Sequence, residues 1–250
     1  MSKIIGFCGK GGTGKTTLSA LALKYLLENS IKPALVIDAD PNSNLAKTLG
    51  LESAGDVGTI CDDLLQKIRS EPGGVSKIDY FKLGLEKILV EEDGFDLLAM
   101  GRPEGPGCYC YPNQVLREII KTILDRYPVA IIDNEAGMEH LSRRLIRKMD
   151  LMLVVSNPSR IGLVTAERIR ALVRELDIEV VRDAVLINQV PPGREEELIG
   201  EARARNLPLG GLIPLDPGIG EWEWEESSLL ELSDTYPAWR AARSIFARFF

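Results

Sequence analysis

The chain has 250 residues, 45% of them hydrophobic, which is enough to bury one large core and suggests one domain or at most two. Four cysteines are too few for a disulfide scaffold, and a formal charge of −7 argues against a nucleic-acid partner, because no excess of Lys and Arg is present to neutralise phosphates. The chain opens MSKIIGFCGK without a basic-then-apolar signal and contains no apolar run of about 18 residues, so we expect a cytoplasmic protein with reduced thiols and no membrane partner.

Short apolar runs alternate with segments of helical apolar spacing from end to end. The predicted strands are 4–8, 34–37, 95–100, 129–133, 151–156, 185–188 and 210–214, and the predicted helices are 16–29, 114–126, 163–176 and 195–205. Continuous apolar runs separated by helices indicate a parallel sheet covered on both faces. We therefore predict an α/β fold with a doubly wound, mainly parallel sheet, and a single domain over 1–250. The segment 52–94, which carries the sequence EPGG, is expected to be an irregular excursion.

Residues 9–16 read GKGGTGKT and match the phosphate-loop pattern G-x-x-x-x-G-K-[ST], between a predicted strand and a predicted helix. The glycines let backbone N–H groups converge on phosphate oxygens, and the helix N-terminus adds partial positive charge. Lys15 is expected to reach the β- and γ-phosphates, and the Thr16 hydroxyl to complete the coordination of Mg²⁺. The predicted nucleotide-binding residues of this segment are Gly9, Lys10, Gly11, Gly12, Thr13, Gly14, Lys15, Thr16 and Thr17.

A second lysine, Lys10, follows the first glycine of this loop. An arbitrary loop lysine would be a solvated charge, but GKGGTGKTT resembles the deviant Walker A loop of the MinD/ParA/nitrogenase iron protein superfamily (SIMIBI type) of P-loop NTPases. The resemblance implies that Lys10 reaches across a face-to-face homodimer to the other subunit's ATP, where it neutralises charge developing on the phosphates. A twofold homodimer is therefore the expected assembly, and Lys10, Lys15 and an acidic residue the expected catalytic set.

Acidic residues end two predicted strands, at the edge where ligands sit in a doubly wound sheet. Asp38 and Asp40 close VIDAD, and alternation places them on the same side. In the resembled family the second of the pair orients or activates the attacking water, which implies that role for Asp40. Asp38 is then expected to hold a Mg²⁺-bound water or a switch segment, the alternative being a solvated strand end or helix cap.

The segment AIIDNEAG at 130–137 has the pattern of a Walker B strand and switch II. This pattern predicts that Asp133 forms a hydrogen bond to a ligand of Mg²⁺ rather than binding the ion directly. Gly137 would then be able to turn toward a γ-phosphate. The resembled family usually has Pro where this chain has Glu135. The predicted magnesium-site residues are Thr16, Asp38 and Asp133.

Adenine recognition is predicted from positions that the resemblance supplies. Asn188 closes VLIN, where the family uses an Asn amide to read adenine, and Pro214 and Asp216 match the loop that covers the base and ribose. Each residue taken alone fits a turn better, and it is the three together and in order that indicate a nucleotide-base site.

Two cysteines one residue apart lie in GPGCYCYP at 105–112. Proline and glycine disfavour helix there, and in extended chain the side chains of Cys108 and Cys110 lie on the same side. Two thiolates fill half of a tetrahedral thiolate site, and a twofold partner would supply the rest. The alternatives are loop cysteines without function and a redox dithiol. Cys8 and Cys61 are expected to be small core hydrophobes.

GCYCYPNQVLREII together with DNEAGMEHLSRR resembles the CooC/AcsF group, the ATPases that mature nickel enzymes of the carbon monoxide dehydrogenase and acetyl-CoA synthase type. The resemblance implies that Cys108 and Cys110 bind a shared metal, Ni²⁺ or Zn²⁺, that ATP changes the dimer, and that the partner is a client nickel enzyme. Thiolates suit nickel, zinc and Cu(I) alike. His140 follows the switch II glycine, and we expect it to have a structural or switch-coupling role rather than to bind metal.

Two other classes stay open. The first alternative is a MinD/ParA-like positioning or regulatory ATPase, which would need a membrane or DNA contact. The tail 236–250 could supply one as a basic amphipathic helix, although a helix docked on the sheet is the preferred interpretation. The second alternative is an electron-transfer ATPase with a bridging iron–sulfur cluster, but 133–144 contains no cysteine to match nitrogenase iron protein.

Overall fold

The structure is a computed structural model, and it describes residues 2–40, 44–70, 76–101, 120–134, 148–225 and 227–250. Within these residues the strands form one eight-stranded sheet with the order β3-β4-β2-β5-β1-β6-β7-β8. The strands are β1 (Lys3–Gly9), β2 (Ala34–Ala39), β3 (Val90–Glu92), β4 (Phe95–Ala99), β5 (Val129–Asn134), β6 (Lys148–Ser156), β7 (Glu179–Val190) and β8 (Leu209–Pro214). All neighbours in the sheet pair in parallel except β3 and β4, which pair antiparallel at the edge.

Helices cover both faces of this sheet. In chain order they are α1 (Lys15–Glu28), α2 (Asn44–Thr48), α3 (Val57–Ser70), α4 (Lys77–Ile88), α5 (Arg160–Glu175), α6 (Glu195–Ala204), α7 (Pro217–Trp224) and α8 (Pro237–Phe246), with a 3₁₀ turn at Leu229–Glu231. Residues 120–124 are also helical, at the end of the helix predicted over 114–126. The predicted doubly wound, mainly parallel α/β fold is confirmed.

The segment 52–94 differs from the expectation of an irregular excursion, because it contains α3, α4 and β3. On α3, Val57, Ile60, Cys61 and Leu64 recur at helical spacing and are all buried. The Ser76 hydroxyl accepts a hydrogen bond from the Asp79 N–H and caps α4. EPGG predicts a break in regular structure, but the apolar spacing on either side of it is helical and determines α3 and α4; the EPGG sequence itself lies outside the described residues.

Two apolar clusters, one on each face of the sheet, form the core. Cys8 and Cys61 both lie buried within the first and outside any disulfide, which confirms their prediction as core residues. The tail predicted to dock is α8, whose Trp239 and Phe246 are fully buried in the second cluster. No helix among the described residues is long and apolar enough to cross a membrane.

The register of the parallel strands brings the predicted acidic residues together. Asp38 on β2 pairs with Asp133 on β5, and Asp133 pairs in turn with Phe7 on β1. All three strands end at the same edge, where β1 continues into the phosphate loop. The fold therefore gathers the loop and the two carboxylates at the carboxyl edge of the sheet.

Candidate nucleotide site

The phosphate loop connects the end of β1 to the start of α1 and is folded around one backbone carbonyl. The Lys10 carbonyl oxygen accepts hydrogen bonds from the Thr13 hydroxyl at 2.9 Å and from the Lys15 ammonium at 3.3 Å. Both side chains are buried, whereas Lys10 itself is exposed. The loop therefore holds Lys15 within the site and leaves Lys10 at the surface.

Gly14 precedes α1 and requires the absence of a side chain for two reasons. Its φ of +87° lies in the left-handed region, and an added Cβ would lie 2.3 Å from Nδ2 of Asn188. The same Nδ2 donates a 2.9 Å hydrogen bond to the Thr13 carbonyl. Asn188, at the end of β7, thus packs against the loop and fixes its last turn.

Thr16 and the two buried aspartates form the acidic side of the site. The Thr16 hydroxyl donates to Asp133 Oδ2 at 2.6 Å, while Asp133 Oδ1 is buried without a hydrogen-bond partner among the described residues. Asp38 accepts backbone N–H groups through both oxygens, from Asp40 at 3.1 Å and from Leu45 at 3.0 Å. Asp38 therefore anchors the turn that leads into α2, as the helix-cap alternative describes, and its predicted role at the magnesium site stays a prediction.

Burial makes the ionised forms of these carboxylates costly. It raises the pKa of Asp133 from 3.8 to about 7, against the opposing effect of the Thr16 hydrogen bond. It raises the pKa of Asp38 to about 6, against the opposing effect of the Leu45 and Asp40 N–H groups. A cation at this position would favour both charged forms. A hydroxyl, an unpartnered carboxylate oxygen and nearby phosphate oxygens are the hard ligands that Mg²⁺ takes, so the residues present fit this ion.

Two adjoining cavities open above these residues. The first, about 540 Å³, is lined by the phosphate loop, by Asp40, by residues of α2 and by Ser227 and Leu229. The second, about 230 Å³, lies between β7, β8 and α7 and is lined by Asn188, Pro214 and Asp216 among others. Thr17 and Gln189 line both. A phosphate-binding cavity joined to a more apolar one has the layout that a nucleotide requires.

Two of the residues predicted to contact adenine, Asn188 and Asp216, form hydrogen bonds within the protein that the sequence did not indicate. Asn188 is 7% exposed, and its amide donates to Thr13. The Asp216 carboxylate accepts the N–H of Gly218 at 3.2 Å and that of Ala238 at 3.0 Å, so it holds the starts of α7 and α8. Their roles in binding the base stay predictions.

Several predicted residues lie outside the described ranges. They are Gly137 of the switch, Cys108 and Cys110 of the metal-binding loop 105–112, and His140. Among the described residues, no group of three or more His, Cys, Asp or Glu could hold a metal ion. Burial raises the pKa of the Cys8 thiol to about 12, and Cys61 is 2% exposed, so neither described cysteine is suited to bind metal as a thiolate.

Sequence reasoning missed six of the described residues that line the first cavity: Asn44, Lys47, Thr48, Gln189, Ser227 and Leu229. Gln189 follows Asn188 directly and has a φ of +58°, in a register shift between β7 and β8. Nothing in its sequence neighbourhood signals that conformation. Asn44 and Lys47 lie on α2, and only the turn held by Asp38 brings that helix over the phosphate loop.

The fold and the loop define a P-loop NTPase. The model of the CobQ/CobB/MinD/ParA nucleotide binding domain family matches residues 4–229, and the chain belongs to this family. It is an ATP-binding protein of the MinD/ParA superfamily, whose members are ATPases.

Sequence similarity to the relatives named below extends over almost the whole chain. An uncharacterized ATP-binding protein of Methanocaldococcus jannaschii is 41% identical over 97% of this chain and 96% of its own length. The carbon monoxide dehydrogenase accessory protein CooC of Rhodospirillum rubrum is 30% identical over 92% of this chain and 90% of its own length. The solved structure of the septum site-determining protein MinD of Pyrococcus horikoshii, complexed with Mg-ADP, is 19% identical and superposes with a TM-score of 0.71 over 100% of this chain and 96% of that one.

Proposed function

We propose that the chain is an ATP-dependent maturation factor that binds a nickel or zinc ion between two subunits and inserts nickel into an enzyme of the carbon monoxide dehydrogenase or acetyl-CoA synthase type. The observation that carries the proposal is the 30% identity to CooC, which extends over nine tenths of both chains. The C-x-C sequence at Cys108 and Cys110 adds the chemistry, because thiolates bind both metals.

The described cysteines support this assignment by elimination. Cys8 and Cys61 are both buried in the core, so thiolates for a bound metal would come from Cys108 and Cys110. Two thiolates from one subunit and two from a twofold copy make a tetrahedral set. The metal is the cargo of the reaction, and it is shared between two copies of the chain.

ATP and Mg²⁺ act at the loop of each subunit in this proposal. Mg²⁺, when bound, neutralises charge on the β- and γ-phosphates. Lys15 and the loop N–H groups bind the phosphates, Thr16 and Asp133 hold the ion, and Asp40 orients the attacking water. Lys10, exposed at the surface, is free to reach a second subunit's nucleotide. Loss of the γ-phosphate then relaxes the segments after Asp40 and Asp133 and releases the metal.

The test is activation of a nickel-free client. Nickel-free carbon monoxide dehydrogenase of Rhodospirillum rubrum is incubated with Ni²⁺, MgATP and the chain, and carbon monoxide oxidation is measured. We expect activation that requires ATP, Lys10 and both cysteines, with Cys61→Ala as the control for loss of a thiol elsewhere. Activation that Cys108→Ser/Cys110→Ser supports as well as the wild-type chain would refute the proposal.

A MinD/ParA-like positioning or regulatory ATPase is the second candidate, and family membership favours it equally. It requires a surface on which the ATPase cycles. The one amphipathic segment that the sequence offered for a membrane, α8, buries its aromatic face against α1 and β8. The second candidate therefore depends on another surface or on release of α8.

A further inference from the structure

Lys47 lies on α2 and lines the cavity of about 540 Å³ together with residues of the phosphate loop. Its ammonium has no hydrogen bond or ion pair with any residue that the structure describes. Of the charged residues that line this cavity among those described, Lys15 and Lys47 are positive and Asp40 is negative. The lining of this cavity thus includes a cation without a partner among the described residues.

The position of Lys47 is fixed by the helix that carries it. The Leu45 N–H is bound by Asp38 at 3.0 Å, and Leu45 and Ala46 are buried in the cluster that contains α1. Lys47 follows these residues on the exposed side of α2, and its neighbour Thr48 lines the same cavity. The helix therefore holds the Lys47 stem at the cavity wall.

We propose that Lys47 binds a phosphate oxygen of the nucleotide held by its own subunit. A nucleoside polyphosphate is the anion class that fits, because the same cavity is lined by the phosphate loop, whose sequence pattern is that of a phosphate-binding loop. This contact is separate from that of Lys10, which is exposed and is not among the described residues that line the cavity. The inference rests on nucleotide binding by the family and is independent of metal delivery.

A structural role for Lys47 makes different predictions. Lys47 lies in the last turn of α2, where a cation favours the helix C-terminus. If that were its role, replacing it would lower the melting temperature without nucleotide and leave nucleotide affinity unchanged. A phosphate contact predicts instead that replacing Lys47 leaves the melting temperature without nucleotide unchanged and lowers the affinity for nucleotide.

The experiment is calorimetric titration of the full chain with MgATP, together with thermal unfolding without nucleotide. Lys47→Ala and Lys47→Gln should each weaken binding of MgATP by about tenfold, as expected for loss of one charged hydrogen bond. Lys47→Arg should restore affinity to within about threefold, because it keeps the charge. The exposed lysine Lys82 on α4 supplies the control, and Lys82→Ala should bind MgATP as the wild-type chain does.

Equal affinity for MgATP in Lys47→Ala and the wild-type chain would overturn the inference. A loss that Lys47→Arg does not restore would also overturn it. Lys15→Ala tests separately whether the phosphate loop binds MgATP, and it should abolish binding even though Lys47 is intact. If Lys15→Ala abolishes binding and Lys47→Ala does not weaken it, only the inference about Lys47 fails.

Discussion

The Thr16 hydroxyl donates a 2.6 Å hydrogen bond to Oδ2 of Asp133 and so joins the first turn of α1 to the end of β5. The other oxygen of Asp133 is buried without a partner among the described residues, and the carboxyl is 1% exposed. The site therefore contains a carboxylate that the rest of the protein does not fully compensate, as expected where a cation is to bind.

The first prediction concerns the pH dependence of stability in the absence of Mg²⁺ and nucleotide. The pKa of Asp133 is raised from 3.8 to about 7, so the native state holds a proton that the unfolded state releases. The resulting stabilisation is complete below pH 3.8 and is lost as pH rises to about 7. Asp133→Asn, which cannot ionise, should be more stable than the wild-type chain at pH 8 by about 2 kcal/mol.

Thermal unfolding in EDTA across pH 5 to 8 checks this expectation. The difference in melting temperature between Asp133→Asn and the wild-type chain should widen with pH. The exposed Asp125 gives the control variant Asp125→Asn, for which no such widening is expected. A difference that stays constant over this range would contradict the assignment of the buried carboxyl.

The second prediction concerns Gly14. Gly12 and Gly14 both have positive φ, at +74° and +87°, but an added Cβ has open space at Gly12 and lies 2.3 Å from Asn188 Nδ2 at Gly14. Gly14→Ala should therefore lower the free energy of unfolding by about 2 kcal/mol more than Gly12→Ala does. Chemical denaturation measures both, and equal losses would show that the amide does not crowd this position.

A double variant isolates the contact. Adding Asn188→Ala to Gly14→Ala removes the overlapping amide, so part of the loss should be recovered, and the two substitutions should be non-additive. Strict additivity would show that Asn188 and Gly14 do not interact.

The third prediction separates the two roles of Asn188. Its amide donates to the Thr13 carbonyl, so Asn188→Ala should disturb the loop and weaken binding of MgATP and of magnesium tripolyphosphate by similar factors, about tenfold. A residue that only reads adenine would affect MgATP alone, because tripolyphosphate has no base. Competition binding with both ligands distinguishes these outcomes.

The fourth prediction concerns α8. Trp239 is fully buried, its indole N–H donates to Asp234 at 2.9 Å, and the Lys24 ammonium lies 5.3 Å from the ring centroid. Trp239→Ala should lower the free energy of unfolding by about 3–5 kcal/mol.

Because α8 is packed against the rest of the protein, the wild-type chain with MgATP should stay in the supernatant when anionic vesicles are sedimented. Its recovery with the lipid would favour the positioning candidate.

The phosphate loop, the order of strands and helices and the acidic strand ends could all be predicted from the sequence, because each depends on local pattern. Asp38 and Asp133 illustrate this point, since each ends an apolar run and parallel register alone makes them neighbours. Lys47 could not be found in this way. Its place in the cavity depends on a turn held by the Asp38 carboxylate, a contact between residues seven positions apart that no periodicity reports.

Asn188 marks a second limit. The resemblance supplied a role in adenine binding, while the hydrogen bond to Thr13 joins residues 175 positions apart and depends on how β7 packs beside the loop. Asp216 is similar, because its bond to the Ala238 N–H requires α8 to fold back to the end of β8. Such long-range bonds follow from tertiary packing rather than from the local sequence.

Metal content and mass in solution, measured together on the anaerobically purified protein, decide whether two copies of the chain share a bound metal ion. With Ni²⁺ or Zn²⁺ supplied, we expect about one metal ion per two chains, a dimer with MgATP, and loss of the metal in Cys108→Ser/Cys110→Ser without loss of nucleotide binding. Unchanged metal content in that variant, or a metal-free wild-type monomer under the same conditions, would contradict it.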